Sequence, residues 1–242
     1  MSAPAPIPRS VPSALSLVAG YVDGCTFLAL FGLFVAQVTG SFVIAGSQLV
    51  MQHDGVLTKV LAIPVFLASA FLTTLLVRAR ERDARPALAL SLGLEGALLI
   101  AFLAVAIGWA PLDDPDAWPS FFASALGLAA MGVQSALVRL LMRGYASTNV
   151  MTTNTTQLAI DIADCFLTWR AFHRTPGEDT ARALAAARTR FGNLFPLVVC
   201  FAFGTAAGAL AYVAFGILCL GLALVVVAIL IGWSLRLGHA SP

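Results

Sequence analysis

The chain has 242 residues, of which 60% are hydrophobic and 11% charged, with a formal net charge of +2. Soluble domains carry roughly 25% charged and 45–50% apolar residues, so this composition excludes an ordinary soluble globule and marks an all-α polytopic membrane protein. The arginines sit beside apolar runs and form no basic domain, so no nucleic-acid partner is expected.

Residues 1–12 are Pro-rich and too polar for a signal peptide, and they read as a disordered cytoplasmic tail. A helical span needs about 20 apolar residues. Stretches 13–35, 57–78, 87–109, 119–142, 193–213 and 215–236 meet that need. Two stretches do not. Residues 36–51 are short and spiked with polar side chains, and residues 146–168 hold too many hydroxyls, amides and acids for a lipid-facing helix. Between 170 and 192, Pro176, Glu178 and Asp179 resemble a helix start, so ARALAAARTRF reads as a cytoplasmic surface helix.

Arginine placement orients these pieces. Arg78, Arg80, Arg82 and Arg85 fill one short loop, and Arg170, Arg174, Arg182, Arg188 and Arg190 fill another. Residues 110–118 carry Asp113, Asp114 and Asp116 with no base, so this loop lies outside and the arginine loops lie in the cytoplasm. Counting crossings then requires 36–51 and 146–168 each to begin and end on one side, from opposite faces. Irregular backbone at membrane depth is tolerated where protein or a water-filled cavity satisfies it. The sequence therefore predicts six transmembrane helices plus two broken or re-entrant segments in an inverted repeat, an arrangement that recurs in secondary transporters. The first repeat covers 13–109 and the second 119–236, with 170–192 as a cytoplasmic insertion and 237–242 as a cytoplasmic tail.

The repeat has matching signals. Gly20 with Asp23 answers Gly132 with Gln134, and a Thr-led motif follows each, Val38-Thr39-Gly40-Ser41 and Met151-Thr152-Thr153-Asn154. The order GYVDG, LFVAQVTGS, GLAAMGVQSALVR and VMTTNTTQLA resembles the YoaK family of multi-pass bacterial membrane proteins over about residues 14–236. The resemblance implies an inner-membrane location and no established activity. The family usually reads Thr-Gly-Asn where this chain has Thr39-Gly40-Ser41, and Thr-Gly where it has Thr152-Thr153.

Asp23 leads the site candidates. A carboxylate at bilayer depth costs roughly 2.5–3.5 kcal/mol, so it faces a cavity or a partner. Between Gly20 and Gly24 it reads as a proton- or cation-coupling acid; the alternative is an acid bonded to backbone freed at a helix break, or paired with arginine. Thr39, Gly40, Ser41, Thr152, Thr153 and Asn154 could present hydroxyls and unpaired backbone to a solute or ion, or simply pack helices. Both motifs are expected to meet near the midplane beside Asp23. Gln134 either binds a polar ligand or bonds between helices. Glu95 is a further coupling candidate, and Asp161 and Asp164, on one helix face near Arg170, form with an arginine a cytoplasmic gate pair or a solvated helix end.

Gly204 and Gly208 make a GxxxG pattern, read as packing inside the protomer with a homo-oligomer contact as the alternative. Cys25, Cys165, Cys200 and Cys219 lie in or against apolar runs and read as core hydrophobes. No nucleotide, zincin or nucleophile-elbow motif is present, and His53, His173 and His239 fall outside the span cores, so neither an enzyme, a cofactor nor a metal is expected. The partners expected are membrane lipid and an unknown small solute or ion. The best reading is a small secondary transporter, with a passive channel and a membrane scaffold as alternatives.

Overall fold

The computed structural model describes residues 7–51, 54–80, 84–142 and 144–239. They form α1 (Ser10–Ala29), α2 (Val38–Met51), α3 (Val56–Ala79), α4 (Ala84–Gly108), α5 (Trp118–Leu141), α6 (Met151–Arg174), α7 (Glu178–Phe215), a 3-10 turn (Gly216–Cys219) and α8 (Leu220–His239). Five stretches are long and apolar enough to cross a membrane, and the last of them, Glu178–Arg236, takes in both α7 and α8. Leu67, Phe71 and Leu72 on α3, Leu210 and Val213 on α7, and Val225 and Ile229 on α8 all point outward and are more than half exposed. Such a surface is unfavourable in water by about 25 cal/mol per Å² but not against lipid tails. The chain is an all-α membrane protein.

Helices α1 and α7 interlock through four glycines. A Cβ on Gly20 would strike the carbonyl oxygen of Phe201, and one on Gly24 that of Thr205. In return, Gly204 lies on the carbonyl of Leu17 and Gly208 on that of Tyr21. Four residues along α1 correspond to four along α7, so the two helices run parallel. Lipid gives no hydrophobic drive for helix association, and close backbone approach supplies the dispersion contact instead. Helix α5 meets α3 similarly, with Gly132 against the Phe66 carbonyl and the Ser69 side chain. Because α1 fills the Gly204–Gly208 face, that face is not available to a second copy.

Around these pairs α4 packs on α5 and α8, α8 also on α1, α2 on α3, and α6 on α7. Exchanging α1–α4 for α5–α8 leaves this pairing unchanged: α1 with α7 becomes α5 with α3, and α4 with α5 becomes α8 with α1. The acidic loop docks on the start of α3, where Gly55 N–H donates to Asp116 Oδ2 at 3.0 Å and Thr58 Oγ1 donates to the Pro115 carbonyl at 3.1 Å. At the opposite end, Tyr145 Oη donates to the Ile7 carbonyl at 3.0 Å, and Arg139 and Arg190 line one cavity.

Several expected boundaries are corrected. The first span stops at Ala29, not 35, because Phe31 and Gly32 take positive φ angles of 54° and 79° and end the helix. Ser10, Val11 and Pro12 belong to α1 and not to the tail: Val11 is buried, and a proline in the first turn lacks only an N–H that would have no intrahelical partner. The expected surface helix within 170–192 and the span 193–213 are one 38-residue helix, α7, with Pro196 inside it. At 1.5 Å per residue it is about 57 Å long. Helix α6 runs on to Arg174 and α8 to His239, so residues 170–174 and 178–192 are helical and 237–239 continue α8. Residues 1–6 and 240–242 of the expected tails, His53, Arg82 and Arg143 lie outside the described residues.

Candidate functional site: two breaks and a polar cavity

The chain between α1 and α2 turns back onto Asp23. Its Oδ1 accepts from the N–H groups of Val35 at 2.8 Å and Ala36 at 2.7 Å, and its Oδ2 from Gln37 at 3.0 Å. Three successive backbone donors leaving an interrupted helix converge on one buried carboxylate, an anion-binding nest in the protein's own backbone. Ser41 closes the same loop by donating from Oγ to the Phe34 carbonyl at 3.1 Å. Thr39 faces outward, and Gly40 gives room to the Phe34 ring. Asp23 is thus bonded to backbone freed at a helix break.

The loop between α5 and α6 is held without charge. Gln134 Nε2 donates to Thr148 Oγ1 at 3.1 Å and to the Leu15 carbonyl at 2.9 Å, so the amide bonds between helices. Asn154 Nδ2 donates to the Ser147 carbonyl at 2.6 Å. Asp23 stands six residues before the end of α1 and Gln134 seven before the end of α5. At 1.5 Å per residue, each loop returns about 9–10 Å into the bundle.

A cavity of about 440 Å³ opens beside the second break. Thr153, Asn154, Gln157 and Asp161 line it from α6, and Arg190 and Asn193 from α7. Asp161, 2% exposed, accepts from Gln157 Nε2 at 3.1 Å and pairs with Arg190 Nε at 3.4 Å. Asp164 pairs with Arg190 Nη2 at 2.6 Å. The arginine is therefore Arg190 and not Arg170, because α6 and α7 form an antiparallel hairpin that lays residue 190 over both acids. Asn193 Oδ1 is buried here without a hydrogen-bond partner. Among the described residues, no group of three His, Cys, Asp or Glu could hold a metal ion.

A family model described as "Protein of unknown function (DUF1275)" matches residues 11–233. The chain belongs to the DUF1275 family. No curated protein and no solved structure matches it. The uncharacterised multi-pass family implied by the sequence is shown at that level.

The sequence candidates of this DUF1275 member do not all line this cavity. Thr153, Asn154 and Asp161 line the cavity, whereas Asp23, Thr39, Gly40 and Ser41 belong to the first break, and no residue from 30–51 lines the cavity. The reason is that each polar tip satisfies itself: Ser41 and Asn154 bond within their own loops. Thr152 points outward. Val38 and Met151, which open α2 and α6, do pack against the same core cluster. Glu95 lies in neither break. It is wholly buried on α4, with both carboxyl oxygens unpartnered.

Sequence reasoning missed Arg139, Tyr145 and Ser147 as cavity residues and the buried Lys59, whose Nζ lies beside Gly55. The double aspartate facing the 170–192 arginines was the signal available for Arg190. Cys25 and Cys219 are buried as expected, at 0% and 6% exposure, and their sulfurs meet where α1 packs on the turn before α8.

Proposed function

We propose that this DUF1275 chain is a small secondary transporter and not an enzyme. In this reading α1, α3, α4, α5, α7 and α8 cross the membrane as an inverted repeat, and α2 and α6 return to the face from which their loops enter. The exchange-invariant helix pairing and the equal depth of the two returning loops support the repeat. Both termini are then cytoplasmic, a reading that Arg139 and Arg190 at one end and the acidic loop at the other support by the positive-inside rule, in the bacterial inner membrane that the YoaK-like resemblance implies.

The observation that carries the transport reading is the polar cavity beside the second break. Soluble-side polar residues would be scattered; these converge on a concave space of ligand size. Arg139 makes no ion pair among the described residues, and Asn193 Oδ1 awaits a donor. Together they suit a small solute with an acidic group and a hydroxyl or amine. Asp161 and Arg190 form the pair that closes the wall of the cavity.

The test is a thermostability screen of the purified protein in detergent against small carboxylates and phosphates bearing hydroxyl or amino groups. A binding solute should raise the melting temperature of the wild type but not of Arg139→Gln or Asn193→Ala, and should accumulate in proteoliposomes under a pH gradient. If stabilising solutes protect both variants equally, the cavity is not the site. If none moves in proteoliposomes, transport is wrong. A scaffold reading is favoured by one observation alone, the use of Asp23 as an internal cap.

A further inference from the structure

Helix α4 buries one stripe: Leu88, Leu92, Glu95, Leu99 and Phe102, each at most 5% exposed. The spacing is that of a helix seam, and the other polar side chain on it, Ser91, is occupied in donating to the Ala87 carbonyl at 2.8 Å. The seam faces α5 and α8, and Gly96, the next residue, packs on Val227 and Ile231 of α8.

The contrast with Asp23 is informative. Asp23 receives three backbone donors and so returns structure for its burial. Glu95 is 0% exposed and neither of its carboxyl oxygens has a partner. It caps nothing and holds no loop. Gln134 Oε1, on the adjacent α5, is a second buried acceptor without a donor. An isolated ionised carboxylate in apolar surroundings is very costly, and such a group neutralises instead.

Charged groups that could settle Glu95 electrostatically are remote along their helices. The elements packed on α4 are α3, α5, α8 and the 3-10 turn. They carry Lys59 and Arg78 on α3, Arg139 on α5, Arg236 and His239 on α8, and Cys219 in the turn. Lys59 stands in the first turn of α3, and Arg78, Arg139, Arg236 and His239 in the last turns of their helices, whereas Glu95 stands mid-way along α4.

We propose that Glu95 is a proton-binding site that exchanges its proton with water when the α4–α8 seam opens, and so is the coupling group of the cycle. The carboxyl O–H releases H⁺ to water on one face and regains it on the other; no other bond changes. The coupling role rests on the transport reading, whereas the proton site does not.

A hydrophobic carbodiimide tests the site without any solute, since it reacts with a protonated carboxyl in apolar surroundings and leaves a stable N-acylurea detectable by peptide mass spectrometry. Glu95 should be modified at about pH 6 and at least about tenfold more slowly at about pH 9. Glu95→Gln should remove the label and leave the melting profile cooperative. No label on Glu95, or equal rates at both pH values, overturns the proposal. A pH-dependent label in a protein that moves no solute in proteoliposomes keeps the proton site and removes transport.

Discussion

Ser41 and Asn154 perform the same act in opposite halves of the chain: each, four residues into the segment that begins its helix, donates back to a carbonyl seven residues earlier, Phe34 and Ser147 respectively. The two side chains differ, but the loop they close has the same length. The equivalence suggests that what the position requires is a donor of short reach, and that a hydroxyl or an amide serves.

Asn154→Ala should therefore lose about 1 kcal/mol, the net worth of one hydrogen bond, and Ser41→Ala about 1–2 kcal/mol, because Ser41 Oγ also accepts from the Phe34 N–H at 3.2 Å. Ser41→Asn should retain the wild-type melting temperature. Thermal unfolding in detergent would check both, and an unfolding shift for Ser41→Asn as large as for Ser41→Ala would contradict the equivalence.

Asp23→Asn should not be a silent mimic of the acid. One amide oxygen can still accept from Val35 and Ala36, but the –NH₂ group would face the Gln37 N–H, donor against donor. Losing one charge-assisted bond in that way should destabilise by about 2 kcal/mol, and Asp23→Ala, which frees all three donors, by more. Melting temperatures of the two variants should fall in that order.

Gly24→Ala and Gly208→Ala should be severe, because the added methyl lands on backbone of the facing helix and backbone cannot step aside. Overpacking of this kind costs roughly 1–3 kcal/mol or more. Gly221→Ala, where nothing lies within 4 Å of the new methyl, is the control and should be neutral or slightly stabilising. Equal effects at all three positions would show that helix propensity, not the α1–α7 seam, decides.

The fold was legible wherever a pattern is local. Apolar runs located the long helices, and two polar-spiked stretches marked the two breaks, because lipid filters side chains position by position. Lengths were less so: Ala-rich 181–191 and the apolar span 193–213 looked like separate elements, yet both belong to one helix that carries Pro196 inside it. The GYVDG segment hid a second GxxxG pair behind its aspartate, whose charge drew the eye to chemistry. Of the candidate site, Thr153, Asn154 and Asp161 were visible as polar residues in an apolar chain. Arg139 and Arg190 were not, since an arginine at a helix end has an ordinary topological reason to be there. The separation of the two breaks into self-satisfied units depended on hydrogen bonds that no spacing reveals.

Arg190 is half exposed and Asp164 similarly so, which limits that pair to a few tenths to 1 kcal/mol, but Asp161 is buried. Arg190→Ala should cost about 2 kcal/mol through the acid left behind, and combining it with Asp161→Asn should recover much of the loss. A double-mutant cycle on thermal stability measures the coupling; strict additivity would mean that the pair does not hold α6 to α7.

Cysteine accessibility separates the two faces. A cysteine at position 114 should react with a membrane-impermeant reagent added to intact cells, and one at 182 should react only after the membrane is opened. Labelling of both from outside would overturn the proposed orientation.

The glycine seam has a consequence for how the protein is made. Gly20 and its contact Phe201 are far apart in the chain, so α1 is inserted long before its partner exists. At about 5–20 residues per second of synthesis, the wait is on the order of 10–40 s. During that interval α1 stands in the bilayer with a bare strip of backbone, while its carboxylate already has Val35, Ala36 and Gln37 within reach. The first break thus shelters the charge early, and the newborn chain depends on the last third of translation to cover the strip.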